Sequence, residues 1–296
     1  MIYNNISELI GNTPLLSLRR LSAIESINCE LLAKLEFFNP TRSSKDRIAL
    51  KMIEDAEHQG LLDNETVIVE PTSGDTGIAL AAVAAARGYP VILAIPKNFY
   101  QKKSEILKTL GAQIILTDPE QGMAGAVEAA KTVAGVMVKT FIPMQFENEN
   151  NPKAHRVGTG AEIVSDCQGK IDILVCPIGS GGTITGCAEA IREVNPNVEV
   201  IGVEPKASPL LSQGWSACHD MHGIGMNFIP AVLKRELITE IISVETADAE
   251  AARQQIASSE GLLIGIASGA ALYAALEACR RPENQGKRVV VIFPDS

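Results

Sequence analysis

Lys45 is the residue of this chain best placed to act as a nucleophile. It lies in Asn39-Pro-Thr-Arg-Ser-Ser-Lys-Asp-Arg47, after an apolar run, Leu31 to Glu36, that reads as a strand. It precedes Ile48 to Glu57, where the apolar spacing is helical. Lys45 is therefore expected at the mouth of a helix. A helix N-terminus carries partial positive charge, so a cation there is poorly placed and loses its proton at lower cost. A deprotonated lysine can form a Schiff base with a carbonyl. Taken alone, such a lysine is more simply a solvated surface group.

Two further stretches shift that balance. Cys176-Pro-Ile-Gly-Ser-Gly-Gly-Thr-Ile-Thr-Gly186 has the form of a strand end, a glycine-rich turn and a helix start. Gly179, Gly181 and Gly182 let the backbone come close to a ligand. Freed N–H groups, the helix dipole and the hydroxyls of Ser180 and Thr183 suit a phosphate. No lysine follows the glycines, so this is not a P-loop, and the spacing is not GxGxxG. A plain glycine turn is the competing reading. The second stretch, Pro71-Thr-Ser-Gly-Asp-Thr-Gly77, offers hydroxyls from Thr72, Ser73 and Thr76 beside Gly74. Helix N-capping would explain it too, and both roles can hold at once, with a substrate carboxylate at the cap. A lysine, a phosphate cradle and a carboxylate cradle suggest pyridoxal phosphate acting on an amino acid.

The elements that must position these residues alternate between strand and helix. Strands are expected at 66–70, 91–95, 113–117, 171–176, 198–204, 241–244 and 288–293. Helices are expected at 76–87, 101–110, 123–134, 183–193, 247–259 and 267–278. Strands that are apolar throughout imply parallel sheets covered on both faces. Residues 205–237 are irregular and rich in Pro, Gly, Ser and His, as functional loops often are. The fold class expected is α/β, with two open three-layer αβα domains and largely parallel sheets. A smaller N-terminal domain is placed at 36–147, and a larger one at 1–35 plus 148–296, carrying the phosphate loop. In such folds ligands bind at the carboxyl ends of the strands, here expected in the cleft between the domains.

Composition sets outer limits. The chain has 296 residues and a net charge of -9, which argues against a nucleic-acid partner. No basic segment precedes an apolar one at the N-terminus, and the longest apolar region is broken at Arg87-Gly88-Tyr89-Pro90. A cytoplasmic protein without a signal peptide or membrane span is expected. The six cysteines form no CxxC pair, so reduced thiols are expected rather than disulfides or a metal site.

With these residues in view, the chain resembles the fold-type II pyridoxal-phosphate enzymes of the cysteine synthase and cystathionine β-synthase family. The motifs run nearly from end to end: Ile10-Gly-Asn-Thr-Pro-Leu15, Asn39-Pro with Ser44-Lys-Asp-Arg47, Pro71-Thr-Ser-Gly74, Gly179-Ser-Gly-Gly-Thr183, Gly223-Ile-Gly225 with Phe228-Ile-Pro230, and Gly265-Ile-Ala-Ser-Gly-Ala270. The resemblance implies that Lys45 holds the cofactor and moves the α-proton. Gly179, Ser180, Gly181, Gly182 and Thr183 would bind its phosphate. Thr72, Ser73, Gly74 and Thr76, with Gln145, would hold the substrate carboxylate. Ser268 would face the pyridine nitrogen as a neutral partner, leaving it unprotonated, and Gly223 would lie near the substrate amino group. The implied reaction is β-replacement: O-acetylserine loses acetate to give an α-aminoacrylate, and sulfide adds to give cysteine. Related β-replacements or β-eliminations are the alternative, as is a catalytically weakened binding relative. A homodimer is implied as well.

Departures from the family pattern are specific. Asp75 stands where the family has Asn, beside the position expected for the cofactor's 3′-oxygen. An amide donates a hydrogen bond to a phenolate, whereas an ionised carboxylate repels it. Ala267 replaces a usual Ser, Thr41-Arg42 replaces small residues, and Gly158 replaces a frequent Thr. Relatives carry a Gly-Glu/Asp-Arg-Tyr segment beyond the position of Pro294-Asp-Ser296. His155 and His222 are candidate substrate contacts, each more simply a structural residue. Trp215 is expected as packing under the irregular region, and Cys176 as a buried, inert thiol.

Overall fold

The computed structural model describes residues 2–100 and 104–296. Early residues contribute β1 (Leu15–Ser17), α1 (Arg19–Ile24) and β2 (Glu30–Leu35). Next come α2 (Lys45–His58), β3 (Val67–Pro71), α3 (Asp75–Arg87), β4 (Val91–Pro96), α4 (Lys97–Tyr100), α5 (Ser104–Thr109), β5 (Gln113–Thr117), α6 (Gly122–Val136) and β6 (Thr140–Phe141). The rest supplies α7 (Asn150–His155), α8 (Ala161–Asp166), β7 (Ile173–Pro177), α9 (Gly182–Arg192), β8 (Glu199–Pro205), α10 (Leu210–Gln213), β9 (Glu240–Val244), α11 (Thr246–Glu260), α12 (Ile266–Arg280) and β10 (Arg288–Phe293). Of the helix expected at 101–110, residues 101–103 lie outside the described residues, and Ser104–Thr109 is helical.

Two compact units result. The smaller holds the stretch ending at Ile10 together with Asn39–Asn151, and the larger holds Gly11–Phe38 with Pro152–Ser296. These bounds differ from 36–147 at three places. The turn Ile6–Leu9 packs on α3 and so belongs to the smaller unit. Residues 36–38 stay with β2, where Glu36 accepts the Thr13 hydroxyl at 2.7 Å. Residues 148–151 stay with the smaller unit, held by Asn150 on Asp55 at 2.8 Å and Asn151 on the Gln145 carbonyl at 2.7 Å.

The smaller unit carries a four-stranded parallel sheet in the order β5-β4-β3-β6. Every residue of β4 is buried, as a strand covered on both faces requires. The larger unit carries six strands in the order β1-β2-β10-β7-β8-β9, parallel except for β1. Side chains alternate strictly between its two faces. Val289, Val291 and Phe293 of β10 pack with Ile173 and Val175 of β7 and with the alanine-rich α12. Val290 and Ile292 join Leu174 and Cys176 on the other face, under α9. Alanines in α12 let that helix sit close to the sheet. Among the described residues no helix is long and apolar enough to cross a membrane.

Candidate active site

The lysine loop is fixed before its helix begins. Asp46 is fully buried and accepts the Thr41 backbone N–H at 2.7 Å and the Thr41 hydroxyl. Arg42, exposed, takes the left-handed φ of 66° that lets the chain double back. Lys45 is then the first residue of α2 and half-buried. Its Nζ donates to Ser44 Oγ at 3.2 Å, and its backbone N–H to Ser43 Oγ at 3.2 Å. Ile48, Met52 and Ile53 bury the inner face of α2 and so hold the lysine in place.

In the same unit, the turn from β3 into α3 is built on Thr72. Its Oγ1 accepts the N–H of Gly74 at 2.9 Å and of Gly77 at 3.1 Å. Gly74 has φ 142°, which side chains rarely adopt, and a Cβ on Gly77 would lie 2.7 Å from Thr72 Cγ2. Thr76 Oγ1 donates to Gln145 Oε1 at 2.7 Å, and Gln145 Nε2 donates to the Pro71 carbonyl at 3.2 Å. Thr72, Gly74, Thr76 and Gln145 are buried, and Ser73 is half-buried. Asp75, also half-buried, is the first residue of α3. The structure thus joins Thr72, Gly74, Thr76 and Gln145 in one hydrogen-bonded network, with Ser73 and Asp75 on its loop.

Glu70 lies directly behind this network and was not singled out from the sequence. Its carboxyl accepts the backbone N–H of Met144 at 2.8 Å and of Gln145 at 3.0 Å. Those bonds hold Met144 at φ 54°. Burial pushes the Glu70 carboxyl up to about 8, opposed by the two N–H donors. An acidic residue ending an otherwise apolar strand, just before the Thr-Ser-Gly turn, is the signal that marks it.

In the larger unit, β7 ends at Pro177 and α9 begins at Gly182. Gly181 is left-handed, with φ 85°, and a Cβ there would meet Leu233 at 2.7 Å. Gly179 is as tight: a Cβ would lie 2.2 Å from the Gly223 carbonyl oxygen. No side chain caps the N-terminus of α9. The first N–H groups of a helix have no intrahelical partner, so this end is a ready seat for an anion, with Ser180 buried and Thr183 half-buried beside it. His155, buried, fixes Thr183. Its Nε2 lies 3.1 Å from Thr183 Oγ1 and its Nδ1 lies 2.9 Å from Thr159 Oγ1. A ring with one N–H donates to one hydroxyl and accepts from the other. His155 therefore supports the glycine-rich turn before α9. Close packing of α9 on the turn at Arg156–Gly160 brings it there: a Cβ on Gly186 would lie 2.1 Å from the Pro152 carbonyl oxygen.

Gly223, with φ 86°, belongs to the same cluster through Gly179. Ser268 lies in the first turn of α12, buried, and donates to Asp295 Oδ1 at 2.9 Å and Asp295 O at 2.9 Å. A Cβ on Gly223 would sit 3.9 Å from Asp295 Oδ2 and 4.0 Å from Ala267 Cβ. Gly179, Gly223, Ala267, Ser268 and Asp295 are thus neighbours. Two minor expectations resolve here: Cys176 is fully buried, whereas Trp215 is 48% exposed and does not pack beneath the loop. Its indole N–H donates to Gln213 Oε1 at 3.3 Å.

These donors fit pyridoxal phosphate. An uncapped helix end flanked by hydroxyls and packed glycines suits the phosphate dianion, a helix-terminal lysine suits the aldehyde, and a buried hydroxyl suits the pyridine nitrogen.

Comparison with known proteins agrees. The sequence model of the family described as pyridoxal-phosphate dependent enzyme matches residues 6–295. A cysteine synthase of Staphylococcus aureus is 40% identical over 294 residues, 99% of this chain and 94% of that protein. Among solved structures, a hydrogen sulfide-producing enzyme from Fusobacterium nucleatum superposes with a TM-score of 0.96 at 40% identity, covering 100% of this chain and 98% of that one. Cysteine synthase from Entamoeba histolytica gives 0.94 at 38% identity, covering 100% and 88%.

Proposed function

This chain belongs to the pyridoxal-phosphate dependent enzyme family, and on that premise we propose that it makes cysteine by β-replacement, exchanging the acetate of O-acetylserine for sulfide. The observation that carries the reading is Lys45 at the first residue of α2, its Nζ on the Ser44 hydroxyl, in a chain that also keeps the uncapped glycine turn before α9.

When bound, pyridoxal phosphate supplies an electron sink for the bonds at the substrate α-carbon. The chain does the rest. Gly179, Ser180, Gly181, Gly182 and Thr183 would hold the phosphate, with Thr183 fixed by His155. Ser268 would meet the pyridine nitrogen. Thr72, Ser73, Gly74 and Thr76 offer hydroxyl and N–H donors to the substrate carboxylate, and Gln145 offers its amide. Gly223 lies near the substrate amino group. Lys45 Nζ would hold the cofactor covalently until the substrate amine displaces it, and the freed amine would then take the α-proton and later return it. Between those transfers acetate leaves Cβ and the sulfide sulfur bonds there. Asp75 would lie near the cofactor's 3′-oxygen.

The protein acts as a homodimer in the cytoplasm. Its six cysteines are all free, which fits a reducing compartment. Equilibrium sedimentation tests the dimer.

A second reading is favoured by the likeness to the sulfide-producing enzyme and by Asp75: β-elimination from cysteine, releasing sulfide, on the same residues. Assay of the purified protein in both directions separates them. Cysteine formed from O-acetylserine and sulfide, well above sulfide released from cysteine, supports the synthase. The reverse order supports the lyase.

A further inference from the structure

Met144 has a left-handed backbone, φ 54°, immediately before Gln145. That conformation is uncommon for a residue with a side chain, so something must hold it. Glu70 does so from β3, where it pairs with Leu93 of β4. Each oxygen of its buried carboxyl takes one main-chain donor: Oε2 accepts the Met144 N–H at 2.8 Å, and Oε1 accepts the Gln145 N–H at 3.0 Å. A turn of this kind is what lets two successive N–H groups converge on one carboxyl. Past it, the Met144 carbonyl accepts the N–H of Glu147 at 2.8 Å and of Asn148 at 2.9 Å. The Gln145 carbonyl accepts Asn151 Nδ2 at 2.7 Å. Those bonds fix the carbonyl side of the turn, and Glu70 fixes its N–H side.

We propose that Glu70 is a positioning residue for recognition of the substrate carboxylate: by holding the left-handed turn at Met144 it sets the direction of the Gln145 side chain. This rests on the reading that Gln145 meets that carboxylate. The interaction runs from carboxyl to main chain, wholly within the smaller unit. Without the carboxyl, two buried N–H groups lose their acceptor. The chain relieves that loss by rotating out of the left-handed region, which Met144 otherwise disfavours. Rotation at Met144 swings the Cα–Cβ bond of Gln145, and the amide moves with it. A misplacement of about 1 Å is enough to matter at such a site.

The test is steady-state kinetics of the cofactor-loaded protein with O-acetylserine at saturating sulfide, or with cysteine should the elimination reading hold, since both carry the same carboxylate. Glu70→Gln sets an amide N–H₂ against one of the two donors. It is expected to raise KM about tenfold, the equivalent of one lost hydrogen bond. It should leave kcat within about twofold of wild type, the pattern of lost uniform binding, and leave the affinity for pyridoxal phosphate unchanged. Glycine takes a positive φ unaided, so adding Met144→Gly to Glu70→Gln is expected to recover most of the loss. Met144→Val keeps the buried carboxyl but puts a β-branched side chain at positive φ, and is expected to raise KM by that separate route. An unchanged KM in both single variants, or a double variant no better than Glu70→Gln, overturns the proposal. Where Glu70→Gln does not fold, an unchanged KM in Met144→Val overturns it alone. Gln145→Ala separates the proposal from its premise. If that variant raises KM while Glu70→Gln does not, only the role of Glu70 fails. If Gln145→Ala leaves KM unchanged, the placement of the carboxylate at Gln145 fails and the inference falls with it.

Discussion

The Glu70 carboxyl accepts the backbone N–H of Gln145 at 3.0 Å, and that of Met144 at 2.8 Å, from a fully buried position. Gln145, proposed to touch substrate, is thus held through its main chain by a buried carboxyl behind it. Burial raises the carboxyl from 4.5 to about 8. With the folded value above the unfolded one, its contribution to stability is fully present below about 4.5 and is lost as pH rises through about 8. Glu70→Gln puts an amide N–H₂ against one backbone donor and costs about 1–3 kcal/mol at low pH. It also removes the titration. Urea unfolding at acidic, neutral and alkaline pH should show the gap between variant and wild type narrowing upward through that window. A gap that stays constant contradicts the assignment.

Lys45→Ala should remove both the covalent anchor of the cofactor and the group that moves the α-proton. Loss of a proton-transferring group costs roughly 10²–10⁴-fold in rate, so turnover should fall at least that far. Borohydride reduction followed by peptide mapping should place a stable adduct on the peptide containing Lys45 in wild type and on none in the variant. Labelling of another lysine would refute the role.

Asp75→Asn exchanges an acceptor for a side chain that can also donate. If Asp75 lies near the 3′-oxygen, one charge-assisted hydrogen bond changes, worth about 1.5–3 kcal/mol, or roughly 10–100-fold in turnover. The absorbance of the loaded protein should shift its dependence on pH. As the first residue of α3, Asp75 also interacts with the helix dipole, worth about 0.3–1 kcal/mol, so unfolding should change little. An unchanged spectrum and turnover across pH would show the substitution to be neutral.

Gly181→Ala forces a side chain into a left-handed conformation with φ 85° and within 2.7 Å of Leu233. The conformation alone costs roughly 1–2 kcal/mol, about tenfold in an equilibrium constant. Titration of the apoprotein with pyridoxal phosphate should show at least that loss of affinity, with the far-ultraviolet dichroism retained. Unaltered affinity would argue that the turn before α9 does not seat the phosphate.

Much of this was legible in the sequence. Strand runs such as Val91–Pro96 and Arg288–Phe293 are apolar because both faces are covered, and that leaves a local mark. The glycine turns at 74 and 181 were legible for the same reason: a positive φ demands the residue type. The short strands Leu15–Ser17 and Thr140–Phe141 left no such mark, because edge strands of two or three residues are defined by their neighbours. The pairings of His155 and Asp295 were opaque for a related reason. Each works on a residue far along the chain, Thr183 and Ser268 respectively, and no local spacing records the pairing. Glu70 left only the mark of an acidic residue in an apolar strand, and its partners, being main-chain groups, added none.

The most direct test of the synthase reaction is the visible spectrum of the purified, cofactor-loaded protein during titration. Addition of O-acetylserine should replace the band of the lysine-bound cofactor with a new one and release acetate. Sulfide should then restore the first band, with one cysteine formed per turnover. A band that O-acetylserine leaves unmoved, or a new band that sulfide fails to reverse, would contradict the β-replacement.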